Sequence, residues 1–182
     1  MRAKWLCVAA LAAGAVGCGG GHVIFNVDVY SFIAGTGRDT VPYAVPPNTN
    51  ATASTFQKIS LLGAGSSLVD SVVIFGTDTM RNQIGSGTIG FQLFVAPDSA
   101  GTYLPGALAF SVTPRPVSGT NPVPPDTIRG KLAAGVNSVF ASSTLWARVA
   151  AQGSNTSLIT PLAGKMVIKS LLLTVVTNPK FF

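Results

Sequence analysis

The sequence has few of the residues that fill exposed helix faces. All six acidic residues of the 182-residue chain are Asp, there is no Glu, and charged residues make up 10% of the total. That share is well below the roughly 25% of an average soluble domain. Straight side chains such as Glu and Lys are the ones that lose little rotamer freedom on a helix. Their scarcity, with 20 Gly and 12 Pro between short apolar runs, favours strands and turns.

Most nucleophilic and metal-binding side chains are also missing. Both cysteines, Cys7 and Cys18, lie in the first 18 residues, so the rest of the chain has no disulfide, no cysteine zinc site and no cysteine nucleophile. His22 is the only histidine, which excludes a histidine-rich metal site. A Ser-His-Asp triad would have to be built on His22, at the very start of the predicted domain. We therefore predict no catalytic residue, no metal and no cofactor, and expect that the protein is not an enzyme.

Carboxylates leave one weaker enzymatic alternative. A hydrolase without Glu would need two Asp residues in different environments, and the candidates are Asp70, Asp78, Asp98 and Asp126. Asp also caps turns through backbone amides, and we favour that interpretation for each of these positions. No calcium-loop spacing of Asp residues is present. An Asp-based hydrolase is the least favoured hypothesis.

A glycine pattern at 85–90 formally matches the dinucleotide motif G-x-G-x-x-G. That motif has to follow a strand and open a helix, so that the helix N-terminus meets the pyrophosphate. Here the pattern leads into the strand-like segment 88–96. We interpret it as a hairpin turn.

The basic residues are few and scattered along the chain. The formal net charge is +6, and without Arg2 and Lys4 the chain keeps ten basic and six acidic residues, a net +4. The remaining cations occur singly, with none of the runs or stripes that track a phosphate backbone. Nucleic acid is therefore not an expected partner.

The N-terminus has the pattern of an export signal. Arg2 and Lys4 precede an apolar stretch, 6–16, about half the roughly 20 residues that a membrane-spanning helix requires. Ala15, Val16 and Gly17 then stand before Cys18, and this sequence resembles the lipobox of bacterial lipoproteins.

The resemblance covers only these first 18 residues. It implies a signal peptide at 1–17, acylation of Cys18 and a glycine-rich tether at 18–22. It also implies attachment to the lipid bilayer of a bacterial cell envelope, because two or more acyl chains hold a protein durably. Gly19 follows the cysteine where an Asp would favour retention at the inner membrane, so the outer membrane is favoured if the cell has two.

Residues 23–182 have the alternating pattern of an all-β domain. Ile89, Phe91, Leu93 and Val95 lie on one side of the clearest strand. The apolar run 164–177 is hydrophobic on both faces, as in a central strand that we expect to pair with the first one. Strands are predicted at 22–34, 56–62, 68–76, 88–96, 107–113, 143–151 and 164–177. When the segments that fit a strand less clearly are counted as well, we predict a single β-sandwich of about eight or nine strands, jelly-roll or immunoglobulin-like.

Four segments are predicted outside the regular strands. Residues 41–53 are expected to be a loop with at most a short edge strand at 42–45, and 152–155 a turn. The proline-rich stretch 114–126 is expected to be a stiff surface loop, since proline is excluded from central strands. Residues 126–143 fit either two short strands or a helical turn.

Candidate ligand-binding residues are aromatic and cationic. Trp146 and Arg148 share one face of a predicted strand, and Tyr30 and Tyr103 are the other candidates for exposed rings. The first hypothesis is a non-catalytic lipoprotein acting in structure, adhesion or envelope assembly, with an envelope protein as partner. The alternative is a carbohydrate- or ligand-binding β-sandwich module that uses these residues to bind a glycan.

Overall fold

The computed structural model describes residues 22–61, 68–120 and 122–178. The signal peptide, Cys18 and most of the tether, predicted at 1–17 and 18–22, lie outside the described residues and stay predictions. None of the helices within the described ranges is long and apolar enough to cross a bilayer.

In the described ranges, ten antiparallel strands form two packed five-stranded sheets. The first sheet has the order β1 (Val23–Asp28), β10 (Leu162–Asn178), β4 (Leu68–Ile84) and β8 (Pro122–Lys131), with β2 (Thr40–Val45) also paired to β10. The second has the order β3 (Thr49–Ser60), β9 (Thr144–Asn155), β5 (Ser86–Ala96) and β6 (Leu108–Ser111), with β7 (Arg115–Ser118) also paired to β5. The predicted all-β sandwich is confirmed.

The strand order is that of a jelly roll rather than an immunoglobulin fold. The chain forms one long antiparallel hairpin, in which the first half, β1 to β5, pairs with the second half, β6 to β10. From its closed end outward, β5 pairs with β6 and β7, β4 with β8, β3 with β9, and β1 and β2 with β10. Successive strand pairs of this hairpin alternate between the two sheets. The β10–β4 pairing joins the strand pairs of the first sheet, and the β9–β5 pairing joins those of the second. The predicted pairing of the first and last strands is confirmed.

The core fills the space between the sheets. Ile89, Phe91, Leu93 and Val95 of β5 are all buried, which confirms the alternation predicted for that strand. The central position predicted for the last strand is also confirmed, since β10 pairs with strands on both sides.

The predicted first strand is too long. It ends at Asp28, and a short helix, α1 (Val29–Ile33), follows where strand was expected to continue to residue 34. The Asp28 carboxylate accepts a hydrogen bond from the Ser31 backbone N–H at 3.2 Å, and the Ser31 hydroxyl donates to the Asp28 carbonyl at 2.8 Å. This N-cap diverts the chain from the strand. Val29 and Ile33 are buried in the helix as they would have been in a strand, so hydrophobic pattern alone did not separate the two.

Two predicted interruptions between strands are wrong, in one case only in part. The short edge strand expected at 42–45 is confirmed by β2, which pairs with β10 alone among the described strands, but the rest of the expected loop 41–53 contains the first part of β3, after a turn at 46–48 where Asn48 has φ of 51°. The expected turn 152–155 is the last part of β9. That part pairs with 49–52 on one side and 88–90 on the other, so hydrogen bonding to two neighbours keeps polar, turn-forming residues extended.

The proline-rich segment is not simply a loop. Residues 115–118 form β7, and β8 begins at residue 122. Each of these strands pairs with one neighbour only, so its prolines lie at sheet edges, where an absent N–H costs no ladder bond. In the ambiguous segment 126–143, β8 continues to Lys131 and a 3-10 helix follows at Ala134–Ala141.

The glycine pattern at 85–90 is not a hairpin turn. Strand β4 ends at Ile84 and β5 begins at Ser86, but the two strands belong to opposite sheets. Gly85 alone makes this corner, with φ of 78°, and a Cβ atom there would collide with the carbonyl oxygen of Pro161. Only glycine combines this left-handed backbone with so close an approach.

Candidate ligand-binding face

The outer face of the second sheet carries a cluster of aromatic rings around one arginine. Strand register places Phe56 of β3, Arg148 of β9 and Phe94 of β5 side by side in one row. Trp146 lies one step along β9 on the same face, and its ring centre is 5.8 Å from that of Phe56. A 3-10 turn at Gly101–Tyr103 brings Tyr103 over the same face. We call Phe56, Phe94, Tyr103, Trp146 and Arg148 the aromatic face.

Arg148 is the buried centre of the aromatic face. Its guanidinium carbon lies 3.7 Å from the Phe94 ring centre and 4.5 Å from that of Tyr103. Its Nε and Nη2 atoms both donate to the Thr102 carbonyl oxygen, at 3.2 and 2.8 Å. Arg148 is only 5% exposed, and burial lowers its pKa below the ordinary arginine value. Because both of these donors bind the loop backbone, Arg148 positions the loop that carries Tyr103.

The loop before Tyr103 is also held from within. The Asp98 carboxylate accepts from the Gly101 N–H at 2.7 Å, and the Thr102 hydroxyl donates to the Ser99 carbonyl at 2.7 Å. Thr102 is fully buried, whereas Tyr103 is 61% exposed. A fixed backbone therefore presents an exposed ring, which lowers the entropy lost when a ligand packs on it.

Three rings of the aromatic face are open to solvent. Besides Tyr103, Phe56 is 44% exposed and Trp146 is half-buried. Their surroundings are polar: Gln92 donates to Gln152 across β5 and β9 at 3.1 Å, and Lys58 lies opposite Trp146. Ring faces beside amide and amino groups are suited to a ligand that has both apolar and hydroxyl-rich surfaces.

The structure brings together three of the four residues predicted from the sequence. Trp146, Arg148 and Tyr103 meet on the aromatic face, although Arg148 is buried. Tyr30 lies in α1, where its half-buried ring packs against the core, and it makes none of the ring contacts described above. Phe56 and Phe94 were missed. The alternation along β5 placed Phe94 on the face opposite the buried residues, and this pattern could have identified it as an outer-face ring. Phe56 had no such local signal, because its position beside Trp146 depends on the register between β3 and β9.

Two of the four Asp residues considered for catalysis, Asp78 and Asp126, form an ion-pair network with Arg115 instead. Asp78 of β4 lies opposite Asp126 of β8, and Arg115 of β7 contacts both, with Nη2 at 2.5 Å from Asp78 Oδ1 and Nε at 3.2 Å from Asp126 Oδ2. Asp78 is 1% exposed. Burial raises the pKa of Asp78, and the nearby Arg115 charge opposes that rise. Because β7 belongs to the second sheet, the network ties the two sheets together.

The other acidic candidates lie apart from this network. Asp98 braces the turn before Tyr103, and Asp70 is exposed near the start of β4. Within the described ranges, no three His, Cys, Asp or Glu side chains come together as a metal site would require.

Comparisons with known proteins give little beyond this geometry. No family model matches the chain, and no curated protein matches it. Among solved structures, the chain is similar to TmCBM61 in complex with beta-1,4-galactotriose, with 11% identity and a TM-score of 0.34 over 82% of this chain and 80% of that one. It is also similar to infectious bursal disease virus structures, of the Gx strain (8% identity, TM-score 0.31) and the Gt strain (12%, 0.26). Those matches cover 76% of this chain but only 36% and 38% of the viral chains. Such low scores carry no argument about function, and the fold assignment rests on the sheet topology itself.

Proposed function

We propose that this protein is a non-catalytic glycan-binding domain, held at the surface of a bacterial envelope membrane by the acylated Cys18. The observation that carries the binding proposal is the aromatic face. Exposed Phe56 and half-buried Trp146 stand on a sheet that its backbone hydrogen bonds make rigid, and exposed Tyr103 stands on a turn that Arg148 and Asp98 hold against that sheet. Rigid aromatic surfaces bind with little loss of side-chain entropy, and their ring faces stack on the apolar C–H faces of sugars.

The shape of the aromatic face favours a chain of sugars over a single sugar. Phe56 and Trp146 form one pair of rings, and Tyr103 supplies a separate ring, 4.5 Å from the Arg148 guanidinium carbon. Successive side chains on one face of a strand are about 7 Å apart. An extended ligand lying along the sheet would therefore contact more than one ring, with Gln92, Gln152 and Lys58 available for its hydroxyl groups.

A glycan array tests the binding proposal directly. The full chain with Cys18→Ser, which removes the predicted acylation site, is applied to the array, and affinities for the hits are then measured by calorimetry. Trp146→Ala and Tyr103→Ala are expected to weaken binding about tenfold or more, as ring anchors at the centre of interfaces do. Phe75→Ala is the matched control, because Phe75 is an exposed ring, 37% accessible, on the outer face of the opposite sheet.

Two outcomes would contradict the binding proposal. One is an array with no hits for a protein whose thermal unfolding shows that it is folded. The other is equal loss of binding in Phe75→Ala and Trp146→Ala. Turnover of any bound glycan, abolished by Asp78→Asn or Asp126→Asn, would replace it with the hydrolase hypothesis.

The membrane anchor needs a separate measurement. Intact mass of the protein extracted from membranes should show a chain beginning at Cys18 with added acyl mass. The Cys18→Ser variant should be recovered in the soluble fraction. A soluble, unmodified product from both proteins would make this a secreted domain and leave the glycan proposal untouched.

A further inference from the structure

Two adjacent aliphatic side chains stand fully in solvent at one end of the sandwich. Leu158 and Ile159 are 79% and 86% exposed, the highest values among the large hydrophobic residues described. They lie in the loop between β9 and β10, beside the corner where Gly85 approaches Pro161. Ile84, 46% exposed, precedes that corner. We call Ile84, Leu158 and Ile159 the apolar tip.

The backbone under the apolar tip is fixed by buried asparagine side chains. Asn155 Nδ2 donates to the carbonyls of Val45, Pro46 and Thr160, at 3.2, 3.2 and 2.9 Å, and its Oδ1 accepts from the Ser157 N–H at 2.9 Å. The Ser157 hydroxyl oxygen in turn accepts from the N–H groups of Ile159 and Thr160, at 3.4 and 3.0 Å. Both ends of the loop are thereby held, so the two aliphatic side chains are presented outward by a fixed backbone.

A second asparagine fixes the corner beside this loop. Asn82 Nδ2 donates to the carbonyls of Gly85 and Gly119, at 2.8 and 2.7 Å, and joins the β4–β5 corner to the turn after β7. Asn155 thus joins the β2–β3 turn to the β9–β10 loop, and Asn82 joins the β4–β5 corner to the turn after β7. Polar side chains are used here to hold a surface that is apolar at its outermost point.

The charges near the apolar tip are positive. Arg81 and Lys165 lie directly opposite each other on β4 and β10, a few residues behind the tip, and both reach solvent at least in part. No Asp occurs in the described segments that make up this end, 45–50, 80–87, 117–120 and 153–165. The Asp carboxylates lie elsewhere, so nothing in these segments would repel an anionic surface.

We propose that the apolar tip inserts into the surface of an anionic lipid bilayer, with Arg81 and Lys165 at the level of the lipid headgroups. A stable protein interface buries about 800 Å² on each partner, far more than two or three aliphatic side chains supply. A lipid interface requires less, because each buried apolar group and each nearby cation adds to binding independently. The apolar tip has a fixed backbone, its outermost residues are aliphatic, and a pair of cations lies behind them. This combination fits a lipid surface better than a protein partner.

The apolar tip lies at the far end of the molecule from the predicted anchor. Val23, five residues after Cys18, pairs with Thr177 at the end of β10, whereas the tip precedes the start of that strand. A 17-residue strand is roughly 50 Å long. The tip is therefore a membrane contact separate from the acyl anchor, and the two can be tested apart.

A site-specific fluorescent label distinguishes insertion of the tip from membrane binding in general. The full chain with Cys7→Ser and Cys18→Ser receives Ile159→Cys and an environment-sensitive nitrobenzoxadiazole label. Label at Leu104→Cys is the matched control, because Leu104 is an aliphatic residue 63% exposed away from the tip. Vesicles of phosphatidylcholine, with or without phosphatidylglycerol, are then added.

Label at position 159 is expected to brighten several-fold and shift to the blue with phosphatidylglycerol vesicles, while label at 104 does not. Leu158→Ser is expected to weaken this partitioning about tenfold, and Arg81→Gln/Lys165→Gln to weaken it by a similar factor and remove most of its salt dependence. Arg129→Gln/Lys131→Gln on the same sheet, away from the tip, should have a smaller effect.

Three results would overturn the proposal. The label at 159 could stay in water while the protein sediments with vesicles, or the labels at 159 and 104 could respond equally. An emission change that depends on protein concentration and needs no vesicles would instead assign the apolar tip to contact between two copies of the chain.

Discussion

The guanidinium carbon of Arg148 lies 4.5 Å from the ring centre of Tyr103, and the same guanidinium donates twice to the carbonyl of the preceding residue, Thr102. A strand residue thus holds both the backbone and the side chain of a distant turn. This relationship connects the stability of the second sheet to the geometry of the proposed binding surface. It predicts that the loop can be loosened without touching an exposed ring.

Arg148→Met is expected to cost about 2 kcal/mol in the free energy of unfolding, because the Thr102 carbonyl loses its donors. The backbone N–H groups of Tyr103 and Leu104, which donate to Ala100 and Gly101 at 3.1 and 3.0 Å, should also exchange faster with deuterium. Arg129→Met is the matched control, since exposed Arg129 stacks on Phe75 at 5.3 Å and should change stability by less than about 0.5 kcal/mol. Unchanged exchange at 103–104 in Arg148→Met would show that the loop is held by other contacts.

Asn155→Ala is expected to destabilise the protein by about 2 to 3 kcal/mol, because four buried or part-buried backbone groups lose their partners at once. Chemical denaturation measures the loss. The control is Asn50→Ala, an exposed asparagine at the same end, for which little change is expected. Equal effects of the two substitutions would contradict the role given to the buried amide.

Arg115→Met is expected to destabilise the protein in a pH-dependent way. Burial raises the pKa of Asp78 above its ordinary value of 3.8, and loss of the Arg115 charge raises it further. A carboxyl whose folded pKa is raised favours folding while it is neutral, so its contribution is lost as the pH rises through the folded pKa. The deficit of Arg115→Met should therefore be small near pH 4 and grow to about 3 kcal/mol at pH 7.

The double variant Arg115→Met/Asp78→Asn is the control for this network. With a neutral amide in place of the buried carboxylate, part of the stability at pH 7 should return and most of the pH dependence should disappear. A deficit of the same size at pH 4 and pH 7 in Arg115→Met would mean that the arginine acts through packing alone.

The protein is expected to lose stability at alkaline pH because of buried Tyr43. Its buried hydroxyl donates to Asn82 Oδ1 at 3.1 Å, and burial raises its pKa from 10.0 to about 12. Between those values the unfolded chain releases the proton and the folded protein keeps it, so stability falls as the pH rises. The fall due to this group should reach about 2 kcal/mol by pH 12.

Tyr43→Phe separates this effect from the titration of lysines. The variant should be less stable than the parent at pH 8, because Asn82 Oδ1 loses its donor, and should show a shallower decline between pH 10 and pH 12. Parallel declines of the two proteins in denaturation experiments over that range would contradict the assignment.

The sequence determined those features that depend on one strand at a time. The alternation along β5 marked its buried face because side chains on a strand point to opposite sides at every step, whichever strand lies beside it. The two apolar faces of β10 marked a central strand for the same reason. Scarcity of Glu and frequent Gly and Pro marked the all-β class, since these are preferences of single residues.

Apart from the pairing of the first and last strands, which the sequence predicted, tertiary structure decided the features that depend on a neighbouring segment. Residues 152–155 have the composition of a turn, yet they stay extended because β3 and β5 pair with them on both sides. Phe56 meets Trp146 only through the register of two strands almost a hundred residues apart in the chain, and no local pattern encodes that register. The alternation along β9 predicts that Arg148 is exposed for ligand contact, but the loop that follows β5 covers it. Strand register and the covering of one side chain by another segment are contacts between distant parts of the chain, so local sequence patterns do not encode them.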